Sequence, residues 1–516
     1  MPQQKSSAKL VIRNATPADI PAINDVVKKV YPILGGYTTA MLKGQISNFP
    51  EGQFVVEYED QIVGYAASFR IDERVAMRKH TWESITGNGF ASRHDPRGEW
   101  LYGMEVCVDP DRRRLRIGQR LYDARKELCE RQELKGIVFC GRMPGWRRKK
   151  KTYPTAESYL DAVMAQKITD PVLRFQQRMG FEPTGVVPGY LEEDVASNGA
   201  AVRMVWRNPY YSDGRQQDAT SKGAKEWVRV ATVQFQQRRV SSFEEFISNI
   251  EYFVDVTADY RSDFVVFPEL FTLQLLSIEN QPLTPAESVD KLTEYTPRFI
   301  EAVRQLAISY NINIIGGSHP TKTDDGEIQN VAYVFLRDGS VHAQEKIHPT
   351  PNERHWWSIL GGDEISTIQT DCGPIGVLIC YDSEFPELAR RLVDEGAKLL
   401  FVPFCTDTRQ GYLRVRYCCQ ARAIENQCYV VMSGNVGNLP GVENMDIQYA
   451  QSAILTPCDF AFARDGVAEE CSENVETIAV ADLDLTDLEW ARAEGSVRNL
   501  RDRRFDLYNI NWKDKS

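Results

Sequence analysis

The chain has 516 residues, 42% of them hydrophobic and 26% charged, and its 61 Lys and Arg against 72 Asp and Glu give a formal net charge of −11. That length exceeds one ordinary domain, and the apolar and charged fractions are those of soluble globular protein. The acidic balance argues against general nucleic-acid or anionic-membrane binding, and no run is long and apolar enough to span a bilayer. Lys9 to Arg13 carries a short strand pattern. Thr16 then stands as a helix N-cap with Pro17 at the first helical position, and the helix runs to about Val30. Gln53 to Glu57 and Gln61 to Arg70 read as a hairpin across Glu59 and Asp60. Leu101 to Val108 is the next strand. It leads into Asp109-Pro110-Asp111-Arg112-Arg113-Arg114-Leu115-Arg116-Ile117-Gly118, and a helix continues to about Leu134. A strand, an Arg-rich turn and a helix start make an anion site, where backbone N–H groups and the helix N-terminus face the anion and arginines add charge. A solvated basic turn is the plainer alternative.

The order strand, helix, hairpin, strand, V-x-P-x-x-R-R…I-G-x-x-L, helix resembles the GNAT acetyltransferases over about residues 9 to 208. The resemblance implies a mixed sheet with flanking helices. It also implies that this turn holds the pyrophosphate of acetyl-CoA, with Val106, Val108, Arg113, Arg114, Arg116, Ile117 and Gly118 as the matching positions. Gly180-Phe181 resembles the family's later G-F, and Met204 to Arg207 would close the sheet. Two departures stand out. Arg116 occupies a place where the family turn has glycine; it lacks glycine's close backbone approach, but its charge can still hold a phosphate. Gln176 occupies the place of a Tyr general acid, and glutamine cannot donate and regain a proton. Glu105 on the strand is then the candidate base; the plainer reading is a surface strand residue in a domain that binds CoA without transferring acetyl. Gly145 to Ala156, with W-R-R-K-K-K, reads as a solvated loop. Tyr210 to Lys225 is polar and Gly/Ser-bearing and reads as a linker. The expected division is a first domain over 1–209, a linker over 210–226 and a second domain over 227–516.

The second domain opens with a strand, Trp227 to Gln234. Ser241 or Ser242 caps a helix to about Ala258, with Glu245 near the capping-box position. Asp263 to Leu270 is a buried-strand pattern that ends in a carboxylate, Glu269. Thr296 to Ser309 reads as a helix and Ile312 to Gly316 as a strand. A strand-like Val331 to Leu336 and a turn at Asp338-Gly339 precede Glu345-Lys346-Ile347-His348-Pro349. The apolar run Val377 to Ile379 delivers Cys380 to a strand end, and a helical pattern follows from Glu387 to Glu395. Glu269, Lys346 and Cys380 thus each sit at or just past a strand end, and in an α/β sheet such ends converge on one crevice. A thiol is mostly protonated at neutral pH and needs a base or a cation beside it. Glu269 can take the thiol proton, and Lys346 can stabilise both the thiolate and the oxyanion formed when sulfur attacks a carbonyl or nitrile carbon. A buried structural cysteine is the plainer reading of Cys380 taken alone.

F-P-E-L, E-K-I-H-P and I-C-Y-D-S-E-F-P-E, in that order, resemble the nitrilase or carbon–nitrogen hydrolase superfamily over about residues 228 to 510. The resemblance implies an α-β-β-α sandwich and a Glu269-Lys346-Cys380 triad that hydrolyses non-peptide C–N bonds through a thioester, with no metal. Glu353 matches a second glutamate of the family and would orient Lys346 or the amine leaving group; a loop salt bridge with Arg354 competes. The Tyr381 backbone N–H joins Lys346 as an oxyanion donor. Cys405 is a rival nucleophile at a pocket edge, and Arg422 with Glu425 reads as a structural buried pair. The tail from Arg498 to Trp512 resembles those that cross to a partner, so a homodimer is expected.

The eleven cysteines form no spaced framework, Cys418-Cys419 being the only adjacent pair, and Met1 to Lys9 is polar and charged. Both point to a reduced, cytoplasmic chain. The six histidines show no metal spacing. The function expected is hydrolysis of an amide or N-carbamoyl bond of a small metabolite, joined to an acetyl-CoA-binding domain that is a possible N-acetyltransferase. Alternatives are a nitrile hydrolase, or a CoA-responsive regulatory protein with a silent hydrolase site.

Overall fold

Alternating and doubly apolar runs in the first 210 residues or so build one sheet. Its strands are β1 (Leu10–Asn14), β2 (Gln53–Tyr58), β3 (Gln61–Ile71), β4 (Trp100–Val108), β5 (Gly136–Arg142), β6 (Glu182–Val187) and β7 (Ala201–Arg207). The order is β1-β2-β3-β4-β5-β7-β6. This computed structural model describes residues 9–32, 36–112, 115–211, 227–279, 283–441, 447–508 and 510–512. The chain divides into two compact units, Met1–Thr220 and Ser221–Ser516. In the first, β3 is buried from Val63 to Phe69, and the helices Ile20–Val30 and Ile117–Arg131 pack on the sheet. β4 and β5 pair in parallel only from Trp100↔Gly136 to Gly103↔Phe139, while β4 stays paired with β3 as far as Val108↔Gly64. Among the described residues, the β4 main chain beyond Gly103 therefore has an edge without a strand partner.

Two expectations need correction here. Met204 to Arg207 does not close the sheet: β7 pairs with both β5 and β6, so β6 is the edge strand. Within Gly145 to Ala156, Trp146–Lys149 is a short helix instead of loop, while Arg147, Arg148 and most of Lys150 to Thr155 are exposed as expected. Trp146 anchors it, being buried and donating from Nε1 to the Tyr153 carbonyl at 2.9 Å.

Among its described residues the second unit carries fifteen strands. In chain order they are β8 (Trp227–Gln237), β9 (Phe264–Val266), β10 (Asn313–Ile315), β11 (His319–Lys322), β12 (Ile328–Phe335), β13 (Val341–Glu345), β14 (Ile359–Leu360), β15 (Ile368–Thr370), β16 (Gly373–Val377), β17 (Leu399–Phe404), β18 (Tyr429–Asn438), β19 (Ile447–Gln448), β20 (Ala453–Leu455), β21 (Val467–Glu470) and β22 (Thr477–Asp484). One layer runs β11-β12-β10-β9-β8, with β13 and β14 beside β12 and β22 beside β8; the other runs β18-β17-β16-β15, with β20 and β21 attached. They join where β18 pairs in parallel with β8, from Asn435↔Phe235 to Gly437↔Gln237.

The period of two along each strand sets the layers. Val228, Val230, Phe264, Val266 and Val334 share a core with Val377, Phe401 and Val431 of the facing layer. Their neighbours Ala231, Val233, Phe235, Val265 and Phe335 pack on Phe246, Ile250, Phe299 and Val303 of two helices, Phe243–Asp259 and Thr296–Tyr310. The helices Pro386–Asp394 and Arg409–Glu425 cover the second layer through Leu388, Leu392, Val415 and Cys419. The result is an α-β-β-α sandwich. The tail folds back on its own unit: Arg503 makes two hydrogen bonds to Asp394, at 3.0 and 2.8 Å, and the Arg391 guanidinium lies over the Trp512 ring.

Candidate active site

β8, β9 and β10 run parallel to one another, as do β16, β17 and β18. Chain leaving the carboxyl ends of such strands is where α/β folds place reactive groups. Glu269 comes three residues after β9 and Cys380 three after β16, while Lys346 directly follows β13. Glu269, Lys346, Glu353 and Cys380 are all buried.

Lys346 is the hub. Its Nζ donates to Glu269 Oε1 at 2.7 Å and to Glu353 Oε2 at 2.6 Å. Its own position is set by main-chain bonds, from its N–H to the Asn330 carbonyl and from the Gly362 N–H to its carbonyl, both 2.8 Å. Glu353 opens the short helix Pro351–Trp356 as the third residue of a capping box, and its Oε2 accepts from the Thr350 N–H at 2.8 Å. That turns the carboxylate inward onto Lys346 instead of toward Arg354. Asn330, on β12, was not singled out in the sequence. Its Nδ2 donates to Glu269 Oε1 at 3.0 Å and to Glu353 Oε1 at 3.1 Å.

The charges follow from this packing. Burial pushes the Glu269 carboxyl up to about 7; Lys346 pulls it down and Glu353 pushes it further up. Burial alone would lower the Lys346 ammonium, but Glu269 and Glu353 hold it well above its usual value. Burial would raise Glu353, yet Lys346 keeps it below the ordinary carboxylate value. Burial, and then the Glu269 charge, push the Cys380 thiol well up, against the pull of Lys346. A resting site of neutral thiol, titratable Glu269, cationic Lys346 and anionic Glu353 results.

Cys380 is held in an uncommon backbone shape, with φ at 48°, a left-handed conformation that costs energy for a non-glycine residue. The α-helix begins at Pro386, one residue before the Glu387 start that the sequence pattern suggested. A 3-10 turn, Cys380–Glu384, intervenes before the helix Pro386–Asp394. Two side chains in that turn tie it down. Ser383 Oγ donates to the Cys380 carbonyl at 2.6 Å. Asp382 accepts from the main-chain N–H groups of Ile347 and His348, at 3.0 and 2.8 Å, and from His348 Nδ1 at 3.0 Å. The lysine loop and the nucleophile turn are thereby one assembly. Tyr381 follows Cys380 in the turn, and its ring meets Phe385 edge-on, centroids 5.0 Å apart.

Cys405 lies on the same floor. The Cys380 thiol faces its carbonyl at 3.8 Å, and Cys405 Sγ sits 2.9 Å from Gln448 Oε1 and 3.4 Å from Asn435 Nδ2. Burial pushes this thiol well up too. Arg422 is buried and bonds both Glu425 and the Ser383 carbonyl, while Glu425 keeps part of its surface in solvent, so the pair braces the turn from behind.

In the first unit, Val106 and Val108 lie on the open part of β4, half-buried, as is Glu105. Glu105 accepts hydrogen bonds from the Tyr31 and Tyr37 hydroxyls at 3.0 and 3.2 Å, and burial pushes its carboxyl up. Arg116 takes the left-handed conformation, φ 46°, at the N-cap of the helix Ile117–Arg131. It thus adopts the backbone shape that glycine favours. Ile117 is buried, and Gly118 faces the Phe175 ring, which a Cβ would approach to 3.2 Å. Gln176 is buried with its Oε1 unpartnered. Arg113 and Arg114 lie outside the described residues.

Comparison with known proteins agrees with this division. The carbon-nitrogen hydrolase family model matches residues 229–493, and the acetyltransferase (GNAT) family model matches residues 25–145. A "probable hydrolase YhcX" of Bacillus subtilis is 47% identical over 505 residues, spanning 98% of this chain and 98% of its own. The "omega-amidase NIT2" of Xenopus tropicalis is 30% identical over 237 residues, 43% of this chain and 81% of its own. An "uncharacterized N-acetyltransferase YkwB" of Bacillus subtilis is 31% identical over 208 residues, 39% of this chain and 90% of its own.

Proposed function

The chain belongs to the carbon–nitrogen hydrolase family and carries a GNAT domain ahead of its hydrolase unit, and we propose that it hydrolyses an amide-type bond of a small molecule through a thioester on Cys380. The observation that carries the reading is the Lys346 ammonium held between two buried carboxylates, Glu269 and Glu353, both of whose charges push the Cys380 thiol up. Glu269 takes the thiol proton. The thiolate attacks the carbonyl carbon, and the oxyanion is met by Lys346 Nζ and the Tyr381 N–H. Glu269 returns its proton to the departing amine, then takes one from the water that cleaves the thioester. Glu353 keeps Lys346 charged and aimed. An omega-amidase among the relatives supports an amide over a nitrile as the substrate.

The first unit, in this reading, binds acetyl-CoA. The residues present fit it: the open edge of β4 at Val106 and Val108 offers main-chain groups, and the N-terminus of the helix Ile117–Arg131 carries no side-chain cap. Its amides at Ile117 and Gly118, with the Arg116 charge at the N-cap, suit a pyrophosphate. Glu105, its carboxyl raised by burial and held by the Tyr31 and Tyr37 hydroxyls, is our candidate to take a proton from an acceptor amine. Homodimers would form through the hydrolase unit, whose tail exposes Phe505, Leu507, Tyr508 and Ile510. The test of the hydrolase reading is release of ammonia or amine from a panel of small amides and N-carbamoyl amines, with nitriles as the contrast. Turnover lost in Cys380→Ala supports it, and full activity in that variant contradicts it.

A further inference from the structure

We propose that Asn330 is a positioning residue that decides which oxygen of Glu269 handles the proton. The inference rests on Glu269 being the base for Cys380. Two donors converge on one carboxylate oxygen: Lys346 Nζ at 2.7 Å and Asn330 Nδ2 at 3.0 Å both reach Glu269 Oε1. Among the described residues no nitrogen donates to Oε2. An oxygen that already accepts two hydrogen bonds, one from a cation, is a poor proton acceptor, so Oε2 is the atom that takes the thiol proton and returns it.

The second N–H of the same amide goes to Glu353 Oε1 at 3.1 Å. Glu269, Glu353 and one Lys346 leave this buried cluster with one negative charge in excess when both carboxylates are ionised. One ammonium cannot neutralise two carboxylates, and a neutral donor that bonds to both lowers the cost of ionising the second. A neutral amide is suited to this place because it supplies two N–H groups without adding charge. Its orientation is forced, since ionised carboxylates can only accept. Its Oδ1 is left buried and unpartnered, which is the cost of aiming both donors at the acids. Main-chain bonding locks the amide to the lysine, because the Lys346 N–H donates to the Asn330 carbonyl. Asn330 thus aligns the base and keeps it ionisable near neutrality, and touches no substrate.

The test uses the full chain and needs no substrate. Cys380 is alkylated with iodoacetamide across pH 5 to 9, and the modified Cys380 peptide is quantified by mass spectrometry, with Cys380→Ala as the blank. The wild-type rate rises through an apparent ionisation near 7, the Glu269 value. Asn330→Ala removes both donors, so that rise moves up by about one pH unit, with about tenfold slower labelling below it. Asn330→Asp keeps the shape but adds a third acid, and moves it further. A merely structural role predicts a lower thermal midpoint with the rise unmoved, and that result in either folded variant overturns the proposal. Absence of any rise near 7 in the wild-type chain instead overturns Glu269 as the base.

Discussion

Glu269 is the residue whose chemistry the surrounding side chains control most closely. A free carboxylate would be ionised throughout the neutral range, but burial raises this one to about 7. Only the ionised form can accept the Cys380 proton. Acylation therefore declines as pH falls through about 7 and reaches a plateau above it, where the ionised form dominates. Single-turnover acylation followed from pH 5 to 9 checks the sign; a rate that falls with rising pH through neutrality contradicts it. Glu269→Gln removes the base and lowers acylation by about a hundredfold or more, with the fold intact. The convergence of Glu269, Lys346 and Cys380 was readable in the sequence because each sits in a short word at or just past a strand end. Asn330 was not, because its bonds are distant: it lies 61 residues from Glu269 along the chain. Glu353 was half-readable. The sequence offered Arg354 beside it and Lys346 seven residues before it, and the capping box at Thr350 decides for the lysine.

The turn Cys380–Glu384 is the element that makes the site possible. Sequence pattern located the strand before it and the helix after it, because both carry apolar periodicity. Pattern could not reveal the positive φ at Cys380 or the intervening 3-10 turn, which depend on bonds made far away. Asp382 makes three of these, to a loop some 35 residues earlier. Replacing it with Ala strands two main-chain N–H groups and frees the lysine loop. Asp382→Ala is expected to cost about 1–3 kcal/mol of stability and to lower kcat by tenfold or more, since small displacements of a catalytic group carry large rate penalties. Denaturant unfolding and amidase assays of the variant check both effects; unchanged kcat would show that the loop keeps its place without the clamp. The basic segment Trp146–Lys149 teaches the converse. Its charges suggested a loop in solvent; Arg147 and Arg148 are exposed, but the buried Trp146 anchors a helical turn that the charges did not announce.

Two units in one chain raise the question of what each binds. The two folds were legible as whole patterns, the first from its strand order and Arg-rich turn, the second from three separated words. The edge position of β6 was not, because strand order across a sheet leaves no mark in local periodicity. Acetyl-CoA at a hundredfold excess over its dissociation constant should stabilise the first unit by about 2.7 kcal/mol, read as an upward shift of its thermal transition in the full chain. Arg116→Glu should abolish the shift; no shift in the wild-type chain at millimolar acetyl-CoA contradicts that reading. Leu507, which is 70% exposed on the tail, should be needed for self-association, so Leu507→Asp is expected to elute as a monomer in size-exclusion chromatography if the wild-type chain elutes as a dimer. The claim on which the rest depends is that Cys380 carries the acyl group. Intact-mass analysis of the wild type and Cys380→Ala, after brief incubation with a mixed panel of small amides and N-carbamoyl amines, tests it most directly. The account predicts an acyl adduct on the wild type alone, with a mass that names the acyl half of the substrate. An adduct of equal yield on Cys380→Ala would contradict it and move the chemistry elsewhere, with Cys405 the next thiol on the same floor.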